Sequence, residues 1–437
     1  MGNEYRQAPW LITEKDPARK DHFLVHNNLT GRTFRLQKKL AGQPIGKGVD
    51  GRWLNFLVAE KLVVKQEDIE PTLDEYLRYC MYGHPTNESQ VVFLPTYSCQ
   101  FACTYCYNDQ VRAQNMEKKR LAPEKIAKKM ADHLESSPGQ TWKLLVTGGG
   151  EPFLVADYLY KIASLLKSAA RKNGREFTFQ IITNGQAATR DKVEKLMKAG
   201  LAGLQITIDP EHDKTRPMKG GKPSLSQVLA NIKALPPQIR LTLTTNIHAG
   251  EEEEYRKMLK MLLPLRERFA STSVTPIMDR VPTLSPEEEG KISRLNTKKT
   301  LATLVKCFDA IDELGYMRKL AFPRIVCEAF IMCEELMMNF AGETTFCAAL
   351  DSLPQYRCDA KSEEAKDKFE LRIANQGWKQ HCFKEGEPCA FAPSCWGGCR
   401  MISVTQGKNW DTINCEKPMF DEMARYELRR WAEVWSM

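Results

Sequence analysis

The stretch that decides the fold is Val91-Val92-Phe93-Leu94, followed by Cys99-Gln100-Phe101-Ala102-Cys103-Thr104-Tyr105-Cys106. The first four residues form a β-branched and aromatic run, which predicts a buried strand. The three cysteines follow on a predicted loop at the carboxyl end of that strand. Three thiolates can hold three irons of a four-iron cluster and leave the fourth iron without a protein ligand. Such an open position would let a substrate or cofactor bind the metal.

Outward from this stretch, short β-branched runs alternate with amphipathic segments. Six strands are predicted, at Val91 to Leu94, Lys143 to Val146, Phe177 to Ile182, Gly203 to Ile208, Arg240 to Thr245 and Ser271 to Thr275. Helices are predicted between them, at Pro123 to Leu134, Val155 to Ala170, Lys192 to Ala199, Leu225 to Leu235 and Glu252 to Phe269. Because strands that alternate with helices form parallel units, the predicted fold class is α/β, with a partial (β/α)6 barrel of the TIM type. In such barrels the chemistry lies at the carboxyl ends of the strands.

Zinc is the alternative metal, because three ligands with one open position also describe a catalytic zinc site. No histidine lies among the three cysteines, and zinc binding has no need of the aromatic Tyr105 before the last thiol. The C-x3-C-x2-C spacing with an aromatic residue before the third cysteine resembles the defining motif of the radical SAM superfamily. The resemblance implies a [4Fe-4S] cluster on Cys99, Cys103 and Cys106, with S-adenosylmethionine on its open iron.

The loops after the later strands agree with this resemblance. Gly148-Gly149-Gly150-Glu151-Pro152 follows the second strand, Thr183-Asn184-Gly185 ends the third, and Thr207 lies near the end of the fourth. The resemblance implies that the GGE motif holds the amino group of the cofactor, that Thr207 and Asn184 contact its ribose, and that Arg216 lies near its carboxylate. The expected cofactor-binding residues are Tyr105, Gly149, Gly150, Glu151, Asn184, Thr207 and Arg216. Pro210 stands where the family usually has Gly, so a different local geometry is expected there.

Cysteines are also dense near the end of the chain, where Cys389, Cys395 and Cys399 follow a C-x5-C-x3-C spacing. This region resembles the SPASM extension of radical SAM enzymes, which carries one or two auxiliary [4Fe-4S] clusters. The resemblance implies a nearer auxiliary cluster and a farther one, held respectively by Cys347, Cys358, Cys382 and Cys399 and by Cys389, Cys395 and Cys415. Gly386 replaces a cysteine of the usual pattern, so the farther cluster has another fourth ligand or is absent. A zinc site is the alternative for this region.

The chain divides by sequence pattern into four parts. Residues 1–85 form a small α+β domain, in which His22 to Val25 and Thr33 to Leu36 are expected to pair as strands. Residues 86–280 form the barrel, and residues 281–346 form a helical linker with a helical stretch from Ser285 to about Phe340. Residues 347–437 form the cysteine-rich extension and end in an amphipathic helix whose apolar stripe is expected to pack in a core. His212 is expected to be a solvated turn residue.

Enzymes that share this three-part plan often modify ribosomally synthesised peptides, and their N-terminal domains capture a leader peptide by strand addition. The resemblance therefore implies a radical that modifies a peptide or protein by crosslinking, thioether formation or oxidation, with electrons from an external one-electron reductant. A sulfatase-maturing, formylglycine-generating enzyme is the alternative. Those enzymes place an aspartate that acts as general base directly after an auxiliary-cluster cysteine, whereas here Phe383 follows Cys382. A non-catalytic iron–sulfur or zinc scaffold is the alternative from another class. No general base is assigned.

Composition limits the remaining choices. The chain has 437 residues, of which 42% are hydrophobic and 27% are charged, and its formal net charge of +8 comes from scattered basic residues. These values are typical of globular domains and do not indicate nucleic-acid binding. No apolar run approaches the roughly 20 residues that a membrane span needs, and no signal peptide is recognisable. A cytoplasmic location without membrane attachment is therefore expected. Because the cytoplasm is reducing, the clustered cysteines are interpreted as metal ligands rather than as disulfides.

Overall fold

A computed structural model describes residues 5–41, 49–82, 87–106, 119–276, 297–318, 336–345, 347, 382–384, 387–395, 397–398, 413, 415 and 417–434. The predicted ligands Cys358 and Cys399 lie outside these residues. Cys327 and Cys333 also lie outside these residues, whereas Cys307 is fully buried.

The N-terminal part is built on a three-stranded antiparallel sheet of order β2-β3-β4. Its elements are β1 (Tyr5–Gln7), β2 (Leu11–Lys15), β3 (His22–Asn27), β4 (Thr33–Gln37), α1 (Lys38–Ala41), α2 (Gly51–Ala59), β5 (Val63–Lys65) and α3 (Ile69–Tyr82). The predicted pairing of β3 with β4 is confirmed, with Val25 opposite Phe34. The Asn27 side chain accepts a bond from the Leu29 amide, and Gly31 takes a positive φ of 71°, so these residues make the turn between the two strands.

The barrel follows as six parallel strands in chain order with helices between them. Its elements are β6 (Glu88–Leu94), α4 (Pro123–Ser136), β7 (Thr141–Val146), α5 (Ala156–Lys172), β8 (Glu176–Thr183), α6 (Arg190–Lys198), β9 (Leu201–Thr207), α7 (His212–Thr215), α8 (Leu225–Ala234), β10 (Arg240–Ile247), α9 (Glu252–Leu262) and β11 (Phe269–Pro276). All six predicted strands are present, and the α/β partial barrel is confirmed. Its core lies between the sheet and the helices and includes Val91, Phe93, Val146, Ile181 and Ile206, which are all under 1% exposed.

The predicted helical stretch from Ser285 to about Phe340 is wrong at its end. Within it, the described residues form α10 (Thr297–Glu313) and then a strand, β12 (Leu336–Asn339), which runs parallel to β6. A hairpin partner, β13 (Thr344–Thr345), completes an eight-stranded sheet. Leu and Met favour helices as isolated residues, but all four residues of β12 are buried against β6, and this tertiary pairing outweighs local propensity.

The C-terminal part carries short elements and one long helix. They are β14 (Phe383–Lys384), β15 (Glu387–Pro388), α11 (Ala392–Cys395) and α12 (Lys417–Val434). Phe420 and Leu428 of α12 are buried with Ile12 and Leu24 of the N-terminal sheet, so the predicted core role of the helix stripe is confirmed. None of the described helices is both long and apolar enough to cross a bilayer.

Candidate active site at the carboxyl ends of the strands

Residues 99–106, here called the cluster loop, lie alongside residues 215–219, here called the arginine segment. The amide of Ala102 donates to the Pro217 carbonyl at 2.8 Å, and the amide of Thr104 donates to the Thr215 carbonyl at 3.0 Å. The Gln100 carbonyl accepts from the Lys219 amide at 2.8 Å. These main-chain bonds hold the loop that carries the three cysteines in one place above the strand ends.

The glycine motif after β7 supports the beginning of the cluster loop. A Cβ on Gly150 would lie 2.6 Å from the Tyr97 carbonyl carbon and closer still to the Ser98 carbonyl oxygen. Gly149 has a φ of +69°, and a Cβ there would lie 2.6 Å from the Thr96 carbonyl oxygen. The next amide, that of Glu151, donates to the Ser98 carbonyl at 2.8 Å. Both glycines are therefore required for backbone to approach backbone closely, directly before Cys99.

The Glu151 carboxylate joins the loop after β7 to the end of β8. Its Oε1 accepts from the Thr183 hydroxyl at 2.7 Å and from the Phe153 amide at 3.0 Å, and its Oε2 accepts from the Asn184 amide at 2.8 Å. Burial raises the pKa of Glu151, while these three bonds and the positive charge of Arg216 oppose the increase. Three of about four acceptor positions are thus used by the protein itself.

Asn184, at the end of β8, connects that strand to the first cysteine. Its Nδ2 lies 3.7 Å from Cys99 Sγ, within the range of a weak bond to sulfur. Its Oδ1 accepts from the Gln186 amide at 2.9 Å and from Gln100 Nε2 at 3.3 Å. Thr207, at the end of β9 and opposite Thr244 of β10, is also buried at this edge of the sheet.

Tyr105 lies at the centre of a buried polar group that joins the cluster loop to Asp209, which follows β9, and to β10. Its hydroxyl donates to the carboxylate of Asp209 and accepts from Arg216 Nη1 at 2.5 Å and from Asn246 Nδ2 at 3.0 Å. The Asn246 amide donates to the other Asp209 oxygen at 2.7 Å. Burial raises the pKa of Asp209, and the Arg216 charge opposes that shift. Burial acts to lower the pKa of Arg216, but Asp209 and its other neighbours outweigh it, so the guanidinium stays charged.

The three predicted cluster cysteines lie on one short loop, in which the Cys106 amide donates to the Cys103 carbonyl at 3.2 Å. Burial raises the pKa of Cys103 to about 11, the charge of Arg216 lowers it, and the neighbouring Cys106 and Cys99 raise it further. A metal that replaces the thiol protons would relieve this penalty. Among the described residues, no three His, Cys, Asp or Glu side chains are close enough to hold a single metal ion. A four-iron cluster needs no such convergence, because each thiolate binds a different iron.

Four buried polar atoms around the cluster loop have no hydrogen-bond partner among the described residues. They are Gln100 Oε1, Gln186 Oε1, His212 Nε2 and Arg216 Nε. Leaving a buried polar atom unsatisfied costs about 1–3 kcal/mol, so a group of such atoms indicates a site built for a polar ligand. A zwitterionic amino-acid ligand fits this set, because the set contains both acceptors and donors.

The expectation that His212 is a solvated turn residue is wrong. Its side chain is 2% exposed, its Nδ1 accepts from the Asp209 amide at 3.3 Å, and its ring packs edge-on against Phe101 with centroids 6.3 Å apart. Burial lowers the pKa of His212 to about 3, so the ring is neutral and its proton is on Nε2. Sequence reasoning also missed Gln100, Gln186 and Asn246. The rule that polar residues at strand ends face the site could have found Asn246.

The C-terminal cysteines form a second neighbourhood. Burial raises the pKa of Cys395 to about 11, and the nearby Cys389 and Cys415 raise it further. The Cys389 amide donates to the Cys382 carbonyl at 2.6 Å across the β14–β15 hairpin. The structure thus brings the three predicted ligands of the farther auxiliary cluster into one neighbourhood. Of the four predicted ligands of the nearer cluster, Cys347 and Cys382 are described.

Comparison with known proteins gives the class of this chain. Residues 93–262 match the family model of the Radical SAM superfamily. Residues 93–262 therefore carry a radical SAM domain. Proteins of this superfamily use S-adenosylmethionine and a [4Fe-4S] cluster.

Two curated relatives align with part of the chain. A GTP 3',8-cyclase of Pectobacterium atrosepticum is 28% identical over 178 residues, which cover 39% of this chain and 51% of the relative. A GTP 3',8-cyclase of Paenarthrobacter nicotinovorans is 29% identical over 140 residues, which cover 32% of this chain and 37% of the relative. The chain thus spans about half or less of the length of these relatives.

Solved structures share the fold over a larger part of the chain. The structure of anSMEcpe with bound AdoMet and Kp18Cys peptide has a TM-score of 0.62 and 17% identity, and it covers 80% of this chain and 99% of its own. Streptococcus suis SuiB bound to precursor peptide SuiA has a TM-score of 0.50 and 10% identity, and it covers 94% of this chain and 99% of its own. At these identities the likeness establishes the fold alone.

Proposed function

We propose that this protein is a radical S-adenosylmethionine enzyme that modifies a ribosomally synthesised peptide or protein by crosslinking, thioether formation or oxidation. The radical chemistry in this proposal is supported by the arrangement of residues at the carboxyl ends of the barrel strands. There the cluster loop carries three cysteines, and four buried polar atoms around it have no partner among the described residues. A metal centre with a polar organic ligand is what such a combination can accommodate.

Each part of the site has a task in this proposal. Cys99, Cys103 and Cys106 hold the cluster, and the Tyr105 group with Asp209, Arg216 and Asn246 keeps the loop against the strand ends. When bound, the cluster and S-adenosylmethionine supply a 5'-deoxyadenosyl radical, which abstracts a hydrogen atom from the substrate. The buried ring of Phe101, which belongs to this loop, packs against the neutral ring of His212, and the two rings exclude water from that side of the loop.

The proposal that the substrate is a peptide is supported by the N-terminal sheet. Sheets that accept a peptide as an added strand need an edge strand whose outward N–H and C=O groups are available. The β2 edge is covered by α12, because Arg425 Nη1 donates to the Thr13 carbonyl at 3.2 Å and pairs with Glu14 at 2.8 Å. At the opposite edge, β4 pairs with β3 and with no other strand in the described residues. We therefore assign strand addition to the β4 edge.

The direction of the β4 main-chain groups follows from the register. The amide of Asn27 donates to the Arg32 carbonyl and that of Lys38 donates to the Asp21 carbonyl, so even-numbered β4 residues face β3. Thr33 and Gln37 then direct their main-chain N–H and C=O groups away from β3.

Gln37→Pro would remove the main-chain N–H of residue 37, which faces away from β3, and would leave every bond to β3 in place. This variant should weaken peptide binding.

The similarity to peptide-bound structures agrees with this assignment. The anSMEcpe structure contains a Kp18Cys peptide, and the SuiB structure contains a precursor peptide. We propose that this chain likewise takes a peptide substrate, with auxiliary [4Fe-4S] chemistry at Cys389, Cys395 and Cys415. A substrate radical that becomes a new bond must lose an electron, and an auxiliary cluster beside the barrel would accept it. An external one-electron reductant would supply the first cluster.

A sulfatase-maturing activity is the second candidate, and the fold shared with anSMEcpe favours it. The residue after Cys382 weakens it, because Phe383 is the half-buried start of β14 and packs against the Trp10 core of the N-terminal part. A phenyl ring there cannot act as the general base that this chemistry requires.

Anaerobic purification followed by iron and sulfide analysis tests the proposal. About four irons per chain would indicate the first cluster alone, and about eight or more would support the auxiliary clusters. Formation of 5'-deoxyadenosine from S-adenosylmethionine and a reductant would establish the radical chemistry. Bound zinc without visible absorption would instead support a non-catalytic scaffold. A short cysteine-rich or repeat-bearing peptide encoded beside the gene would support peptide maturation, and a neighbouring sulfatase would support the second candidate.

A further inference from the structure

The carboxamide of Asn184 has only one reasonable orientation. Its Oδ1 accepts from the main-chain amide of Gln186, which can only donate, at 2.9 Å. The opposite end, Nδ2, consequently faces Cys99 Sγ at 3.7 Å. Because a main-chain N–H cannot be reversed, this bond determines which end of the Asn184 side chain is oxygen.

The orientation of Gln100 follows from that of Asn184. Gln100 Nε2 donates to Asn184 Oδ1 at 3.3 Å, and a reversed carboxamide would place two oxygens against each other. The remaining end of Gln100 is therefore an oxygen, and this oxygen is buried without a donor among the described residues. Gln186 repeats the arrangement, since its Nε2 lies 3.6 Å from Met218 Sδ and its Oε1 is buried without a donor.

Two buried acceptor oxygens thus come from residues that both bond to Asn184 Oδ1. A hydroxyl needs one acceptor and can also accept, whereas an amino group presents several donors. Gln100 directly follows Cys99, and the main-chain amide of Gln186 bonds to the same Asn184 side chain whose Nδ2 contacts Cys99 Sγ. The GGE resemblance implies that Glu151 binds the amino group of S-adenosylmethionine. Its carboxylate, however, already accepts three hydrogen bonds from the protein. Further acceptors are therefore needed to surround an amino group here.

We propose that Gln100, with Gln186 as a second acceptor, binds the amino group of S-adenosylmethionine. This inference rests on the proposed function and specifies which side chains of this chain recognise the amino-acid end of the cofactor. Recognition by neutral carboxamides differs from recognition by a carboxylate, because it adds no negative charge beside the thiolates of the cluster loop.

Equilibrium dialysis of two ligands against the anaerobically reconstituted, unreduced protein tests the proposal. The ligands are S-adenosylmethionine and S-methyl-5'-thioadenosine, which keeps the nucleoside but lacks the amino-acid end. Gln100→Met and Gln186→Met keep the side-chain length and remove the oxygens. Each should weaken S-adenosylmethionine binding about tenfold or more, because a buried hydrogen bond is lost, and should change methylthioadenosine binding less than about twofold.

Gln180→Met is the matched control, because Gln180 is exposed on β8, and it should change neither affinity. If both glutamine variants bind S-adenosylmethionine as the wild type does, or lose both ligands equally, the assignment is wrong. Equal loss would show that the oxygens face the nucleoside or only support Asn184. If the wild type itself fails to bind S-adenosylmethionine, the proposed function fails and this inference fails with it.

Discussion

The two cysteine regions of this molecule are held in different ways. The cluster loop is attached by main-chain bonds to the arginine segment and by Tyr105 to Asp209, which follows β9, and to β10, all within one barrel. Cys389 and Cys395 instead pack beside a small core made by α12, Phe391 and two residues of the N-terminal sheet, Ile12 and Leu24. The first region depends on the barrel alone. The second depends on contacts between parts of the chain that are about four hundred residues apart.

This difference concerns mechanism as well as stability. α12 joins the N-terminal sheet to α10 and the residues that follow α10, since Glu427 pairs with Arg318 at 2.7 Å and Tyr426 donates to Asp309 at 2.7 Å. The proposed peptide-binding sheet and the proposed auxiliary cluster therefore share one packing unit. Substitutions can be chosen to affect one cysteine region and leave the other intact.

The largest effect is expected from exchanging single cysteines in the two regions. Cys103→Ala should abolish 5'-deoxyadenosine formation, because the first cluster loses a ligand. Cys395→Ala should retain this cleavage and stop formation of the modified product. Both quantities can be measured by chromatography and mass spectrometry of one reaction. Full product formation by the Cys395 variant would contradict its auxiliary role, and cleavage by the Cys103 variant would contradict the assignment of the first cluster.

Gly150→Ala should damage the barrel site by steric conflict. The added Cβ would overlap the Ser98 carbonyl, which is main chain and cannot move without displacing Cys99. We expect destabilisation of about 3 kcal/mol or more in thermal unfolding, with loss of iron. Gly51→Ala is the control, because nothing lies within 4 Å of a Cβ there and the residue begins α2. Normal iron content in the Gly150 variant would show that the loop tolerates the change.

Glu427→Gln should destabilise the C-terminal region selectively. Both partners of the Arg318–Glu427 pair are buried, with side chains 4% and 0% exposed, so the change leaves Arg318 with the carboxylate of Asp312, at 3.2 Å, as its remaining partner. The expected cost is about 1.5–3 kcal/mol in denaturant unfolding, because a charge-assisted hydrogen bond in a buried place is weakened. Arg429→Ala provides a contrast, since Arg429 is an exposed partner of Glu14 at 3.4 Å and its loss should cost less than about 1 kcal/mol. Equal effects of the two changes would show that the buried pair is not structurally important.

The smallest effect is expected from Tyr105→Phe. The variant keeps the ring but removes the hydroxyl that bridges Asp209 and Arg216, at a cost of about 1–3 kcal/mol. We expect weaker S-adenosylmethionine binding with unchanged iron content, because the cysteines remain while the cluster loop is held less firmly. Dialysis and iron analysis of the same sample measure both. Loss of iron in this variant would mean that the hydroxyl is needed for the cluster itself.

Strand and helix order in the barrel was predictable because it depends on local pattern. Six β-branched runs alternate with amphipathic segments, and the structure contains all six strands in parallel order. The strand β12 was predicted as helix because its Leu-Met-Met sequence becomes a strand only when β6 is beside it. His212 was placed in solvent for a related reason, since a turn between polar neighbours gives no sign that Phe101 covers it.

By itself, the sequence determined the motif order: three cysteines after the first strand, a glycine motif after the second, and polar residues at the ends of the third and fourth. Spacing along the chain is enough for that, because parallel strands bring their carboxyl ends to one edge. Only the tertiary structure decided how those residues are used. It shows Glu151 bonded within the protein, the motif glycines against backbone, and the side-chain oxygens of Gln100 and Gln186 without donors in the part of the chain that the structure describes. Hydrogen-bond partners and burial arise between distant segments, so no local pattern encodes them.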